Sequence, residues 1–132
     1  MKRLDGRVQV SGQIRPEEIA GLGVAMVINN RPDREEPGQP SSEEVEAAAR
    51  AAGVEYRHIP MAGALSLPLV AQMADALAAA DGEVLAFCKS GTRSTYLWAL
   101  ARARAGDDPE ALVSKAAAAG YDLSPIRAYL GS

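Results

Sequence analysis

The chain of 132 residues has one cysteine, one histidine, one tryptophan and one phenylalanine. A lone cysteine cannot close an internal disulfide, so nothing points to an oxidising compartment, and the cytoplasm is the expected address. One histidine and one cysteine give no cluster with metal-ligand spacing, so neither a metal nor another cofactor is expected. No apolar run approaches the ~18 residues of a membrane span. The basic start, MKRLDGRVQVSG, lacks the apolar stretch of a secretory leader. Positive charge is also in short supply, with 14 Lys and Arg against 17 Asp and Glu and a net charge of −3. That balance argues against nucleic acid or a membrane surface as partner. What is present is a globular composition, 48% hydrophobic and 23% charged, of a length that suits one domain over residues 1–132.

Two short apolar runs stand out. VAMVI (24–28) follows Gly23, and EVLAFC (83–88) follows the turn Asp81-Gly82. Both read as buried strands of a parallel sheet. RVQVSG (7–12) and VEYRHIP (54–60) are weaker strand candidates. Helical signals lie between them. Ser41 with Glu44 forms a capping box ahead of Val45, Ala48, Ala49 and Ala52. Ser66 caps a second helix, with Pro68 in its first turn and Val70, Met73 and Leu77 along one face. A third follows Cys88, with Tyr96, Ala99, Leu100 and Ala103 on its apolar face. Asp108-Pro109 opens a fourth, which Gly120 ends, and Ser124-Pro125 opens a short last one. Strands alternating with helices predict an α/β fold with a mainly parallel sheet. The Pro- and charge-rich segment 29–42 reads as an exposed loop within the domain.

The only cysteine lies in FCKSGTRS (87–94), between a predicted strand and a predicted helix. A thiol that is to act as a nucleophile must be held as thiolate. A helix N-terminus, consecutive loop N–H groups and a nearby guanidinium all favour that form. The N–H groups of Ser90, Gly91 and Thr92 can curl around an anion. Gly91 lets the backbone turn and approach closely. Lys89 adds positive charge, and Arg93 can grip two oxygens of one anion. Ser94 is placed either to donate to the thiolate or to cap the helix. The bland alternative is that Cys88 merely fills the buried end of a strand.

VSGQI (10–14), VINNRPDREEPGQPS (27–41), YRHIPM (56–61) and FCKSGTRS together resemble the phosphatase-like domain of bacterial beta-lactamase hydrolase-like proteins. The resemblance spans nearly the whole chain. It implies the cysteine-phosphatase fold, a short and mainly parallel sheet flanked by helices, with Cys88 and Arg93 as catalytic residues. One feature departs from phosphatases of that fold. Four residues separate Cys88 from Arg93, one fewer than their signature loop holds. Lys89, Gly91 and Arg93 are instead similar to the active loop of single-domain rhodaneses. A second departure is the missing general acid. The segment after YRHIP reads MAGALS, and Asp33 is the only candidate acid, on another loop.

The expected function is therefore a rhodanese-like sulfurtransferase. Cys88 takes sulfur from thiosulfate or a glutathione persulfide and passes it to a thiophilic acceptor, with a persulfide dioxygenase as candidate partner. The alternatives are a cysteine-dependent phosphatase and a non-catalytic module that binds anions or persulfides. Arg31 follows the strand at 24–28, on the sheet edge that carries the cysteine loop. It either draws in the anionic donor or pairs on the surface. His58 reads as structural, Trp98 and Tyr96 as core or rim, and Tyr121 and Tyr129 carry no signal.

Overall fold

A computed structural model describes residues 1–131. Five strands form one sheet: β1 (Lys2–Arg3), β2 (Val8–Ser11), β3 (Met26–Asn29), β4 (Glu55–His58) and β5 (Val84–Phe87). Their order across the sheet is β1-β2-β5-β3-β4. All neighbours are parallel except β1, which pairs antiparallel with β2. β5 therefore lies between β2 and β3, and every one of its residues is buried. That position explains why VLAF is apolar without alternation.

Successive side chains of a strand point to opposite faces, and the core divides accordingly. Val8, Val10, Met26, Ile28, Val84 and Ala86 pack on one face with α2 (Leu67–Ala79), α3 (Thr92–Arg104) and α4 (Pro109–Ala118). Val27, Leu85 and Phe87 pack on the other with Val45 and Ala49 of α1 (Ser42–Ala51) and Ile19 of the 3-10 turn Pro16–Gly21. The sheet is thus covered on both sides. No helix among the described residues is long and apolar enough to cross a membrane.

The helix caps form as their residues dictate. Ser41 Oγ accepts from Glu44 N, and the Glu44 carboxylate accepts from Ser41 N. Ser66 and Asp108 cap α2 and α4. Three features differ from the expectations. β1 and the turn at Pro16–Gly21 carry too few residues for a readable period. The apolar face of α3 is broader than Tyr96, Ala99, Leu100 and Ala103: Leu97, Trp98 and Ala101 are buried as well, while Tyr96 and Ala103 are only partly so. Segment 29–42 is not exposed throughout, since Asn29, Asn30 and Arg31 are buried at its start.

Candidate active site

The sheet brings the C-terminal ends of β2, β5 and β3 to one edge, and Cys88 leaves β5 between its two neighbours. Cys88 N–H donates to the Ser11 carbonyl, and Asn30 N–H to the Phe87 carbonyl. The loop thus rests on both flanking strands. Gly12 fits directly beneath it, since a Cβ there would stand 2.8 Å from the Lys89 carbonyl oxygen. Loop and helix meet at Gly91, the N-cap of α3, with φ +92° in the left-handed region that favours glycine. Having no side chain, Gly91 cannot cap the helix itself. The first-turn N–H groups of α3 thus receive no side-chain cap from Gly91, and Thr92 N–H turns to Ser90 Oγ at 3.5 Å; a helix start of this kind can receive anions.

Gly91 N–H already donates to Cys88 Sγ at 3.1 Å. Ser90 Oγ donates to Thr92 Oγ1 at 3.0 Å and stiffens the turn. Ser94 Oγ is buried without a hydrogen-bond partner among the described residues. A buried hydroxyl in that state costs about 1–3 kcal/mol. Cys88 is fully buried.

Arg93 is held by a residue that the sequence reading overlooked. Its Nη1 and Nη2 fork onto the Glu35 carboxylate at 2.7 and 2.8 Å, and Nη1 also donates to the Met61 carbonyl at 3.0 Å. Arg31 supports the same carboxylate from beneath, with Nε on Glu35 at 2.8 Å, Nη2 on Glu36 at 2.6 Å and Nη1 on Gln13 at 3.0 Å. The chain reaches this arrangement through Arg34, which takes φ +62°, a conformation that costs a non-glycine residue about 1–2 kcal/mol. Lys89 closes the set, with Nζ 3.8 Å from Glu36. The fork with Arg93, aided by Arg31, pulls the Glu35 pKa down to about 2. The Arg31 hydrogen bond, then the Lys89 charge, lowers that of Glu36. The same fork raises the pKa of Arg93.

Cys88, Lys89, Ser90, Gly91, Thr92, Arg93 and Ser94 thus share one loop and helix start. Arg31 meets that loop through Glu35 and Glu36, with its guanidinium buried and engaged. Asp33 stands apart: its Oδ1 accepts the Ser42 N–H at 2.7 Å and anchors the start of α1. His58 Nε2 lies 3.0 Å from the Arg31 carbonyl, a structural contact. Glu35 and Glu36 escaped sequence reading because an acidic pair in a Pro-rich segment looks like a solvated surface. Among the described residues no group of three or more His, Cys, Asp or Glu could hold a metal.

Residues 1–105 match the family described as the beta-lactamase hydrolase-like protein, phosphatase-like domain. A beta-lactamase hydrolase-like protein of Xylella fastidiosa is 38% identical over 128 residues, 91% of this chain but 29% of that protein. The chain therefore spans under a third of the length of that relative. Among solved structures, a candidate phosphatase from Neisseria meningitidis is 34% identical, with a TM-score of 0.82 over 98% of this chain and 94% of that one. Tk-PTP in its active form is 23% identical, with a TM-score of 0.71 over 98% and 91%, a likeness of fold. The fold defines a cysteine-phosphatase-like domain, while the loop keeps its four-residue interval. The chain belongs to the phosphatase-like domain family of the beta-lactamase hydrolase-like proteins. These likenesses lend no support to the expected sulfurtransferase and favour its phosphatase alternative.

Proposed function

We propose that the chain is a cysteine-dependent phosphatase restricted to substrates with good leaving groups. One observation carries this reading: Cys88 Sγ sits at the base of a loop whose Gly91 N–H is directed at it, in a family described as a phosphatase-like domain. In the mechanism, the thiolate attacks phosphorus, an S–P bond forms and the P–O bond to the leaving group breaks. Loop N–H groups, Lys89 and Arg93 neutralise the phosphoryl oxygens as charge develops on them. Water then cleaves the S–P bond and releases phosphate.

The restriction to good leaving groups follows from the carboxylates nearby. A general acid must carry a proton at working pH. Glu35, with a pKa of about 2, is ionised, and Glu36 is lowered in the same direction. Asp33 is turned to the Ser42 N–H. Leaving groups must therefore depart as stable anions, as those of aryl phosphates or phosphoanhydrides do. A cytoplasmic setting suits a nucleophilic thiol that must stay reduced.

The four-residue interval between Cys88 and Arg93 favours a second reading, sulfur transfer. Cys88 would attack the outer sulfur of thiosulfate or a glutathione persulfide, and sulfite or a thiolate leaves without protonation. A persulfide dioxygenase is the fitting partner for that chemistry. Intact-mass analysis separates the two. After an aryl phosphate, the phosphatase reading expects phosphate release and a transient phosphoryl adduct, both lost in Cys88→Ser. A persistent gain of one sulfur from thiosulfate or glutathione persulfide, removable by cyanide as thiocyanate, without phosphate release, moves the assignment to sulfur transfer.

A further inference from the structure

Tyr121 has no part in the chemistry above, yet the fold delivers it to the cysteine loop. α4 ends with Gly120 N–H on the Ala117 carbonyl and Tyr121 N–H on the Ala116 carbonyl. This is the paired Schellman arrangement, with Gly120 in the left-handed region at φ +96°. The turn sends Tyr121 back over the start of α3. Its hydroxyl donates to the Ser90 carbonyl at 3.0 Å. A Cβ on Gly91 would stand 2.2 Å from that hydroxyl oxygen and 3.0 Å from Cζ. The ring edge therefore lies directly against the bare α-carbon of Gly91.

The Ser90 carbonyl and the Gly91 N–H belong to one peptide unit. A trans peptide is planar and directs these groups to opposite sides. Tyr121 holds the carbonyl end, and Cys88 Sγ accepts from the N–H end at 3.1 Å. We infer that Tyr121 is a positioning residue for the nucleophile: its hydroxyl fixes the Ser90–Gly91 peptide so that a donor, not a carbonyl oxygen, faces Cys88. With the peptide reversed, the Ser90 oxygen would point at the sulfur and repel both thiolate and bound anion. Glycine offers little steric resistance to that rotation, and the contacts inside the loop leave the Ser90 carbonyl itself unheld, so Tyr121 supplies the restraint on that end. Burial, and then the nearby Cys88 charge, raises the Tyr121 pKa. The hydroxyl consequently keeps its proton, and its role as donor, well into alkaline solution.

The inference rests on the reading that Cys88 is the nucleophile, and it holds whether phosphorus or sulfur is attacked. The test compares wild type with Tyr121→Phe, which keeps the ring and removes the donor, by nitrogen-15 NMR of the Gly91 amide and by orthovanadate titration. In wild type the Gly91 amide should be protected from solvent exchange. In Tyr121→Phe its resonance should shift and its protection fall, and orthovanadate should bind about three- to tenfold more weakly, the scale of one net hydrogen bond. An unchanged Gly91 resonance in folded Tyr121→Phe overturns the inference, whatever happens to orthovanadate. Unprotected exchange of Gly91 in wild type overturns it without any variant. Turnover that survives in Cys88→Ser would refute the assigned function, while the Gly91 resonance would still report on Tyr121.

Discussion

Glu35→Gln removes one negative charge from beneath the loop while keeping the side chain's size. The carboxylate accepts from Arg93 twice and from Arg31 once, at 2.7–2.8 Å. Those bonds take its pKa from 4.5 to about 2. At 1.36 kcal/mol per unit the shift corresponds to about 3 kcal/mol. The side chain is 28% exposed, and solvent screening reduces this to about 1–2 kcal/mol in practice. The sign follows from linkage. The folded pKa lies below the unfolded one, so the contribution is complete above pH 4.5 and fades as pH falls towards 2. Urea unfolding of both proteins at neutral pH and at several acid pH values measures it. Glu35→Gln should be less stable by about 1–2 kcal/mol at neutral pH, and the gap should close on acidification. A gap that stays constant down to the acid limit, or that is absent at neutral pH, refutes the reasoning.

Asp33→Ala should cost about 1 kcal/mol through the lost anchor on Ser42 N–H, while Asp33→Asn, which keeps an acceptor oxygen, should cost less. Neither should change phosphate release from an aryl phosphate, and a sharp loss in both would make Asp33 an acid after all. Gly12→Ala brings a Cβ to 2.8 Å from the Lys89 carbonyl oxygen. Because the obstacle is backbone, thermal unfolding should show a loss of about 1–3 kcal/mol, with weaker orthovanadate binding. An unaltered melting temperature would mean that the loop does not rest on β2 as described.

Much of the fold was legible because its signals are local. Ser41 and Glu44, Ser66, and Asp108 with Pro109 each set a helix start within a few residues. The buried runs around Val27 and Leu85 announced the central strands. Within FCKSGTRS, the spacing of the cysteine, the glycine and the arginine marks the loop together with the strand before it and the helix after it. The supporting residues were not legible, because each acts across a long stretch of sequence. Glu35 meets Arg93 only after the sheet has brought β3 beside β5, and Tyr121 reaches Ser90 only through the turn after α4. The broad buried surface of α3 was also underestimated. A helix covered by the sheet, α2 and α4 loses the one-sided period that betrays an amphipathic helix.

The place of β5 in the sheet also bears on how the protein comes to fold. Val84 pairs on one side with Val8 and on the other with Met26, and Trp98 Nε1 donates to Asp5 Oδ2 at 2.9 Å. These contacts join distant parts of the chain, and parallel pairing cannot be reached by a hairpin. Loop-closure entropy must be met before such contacts reward it, which slows folding. During synthesis, β2 and β3 leave the ribosome with the strand that belongs between them still unmade. Cys88 directly follows that missing strand, so a nascent chain has no cysteine loop to expose until its central strand arrives.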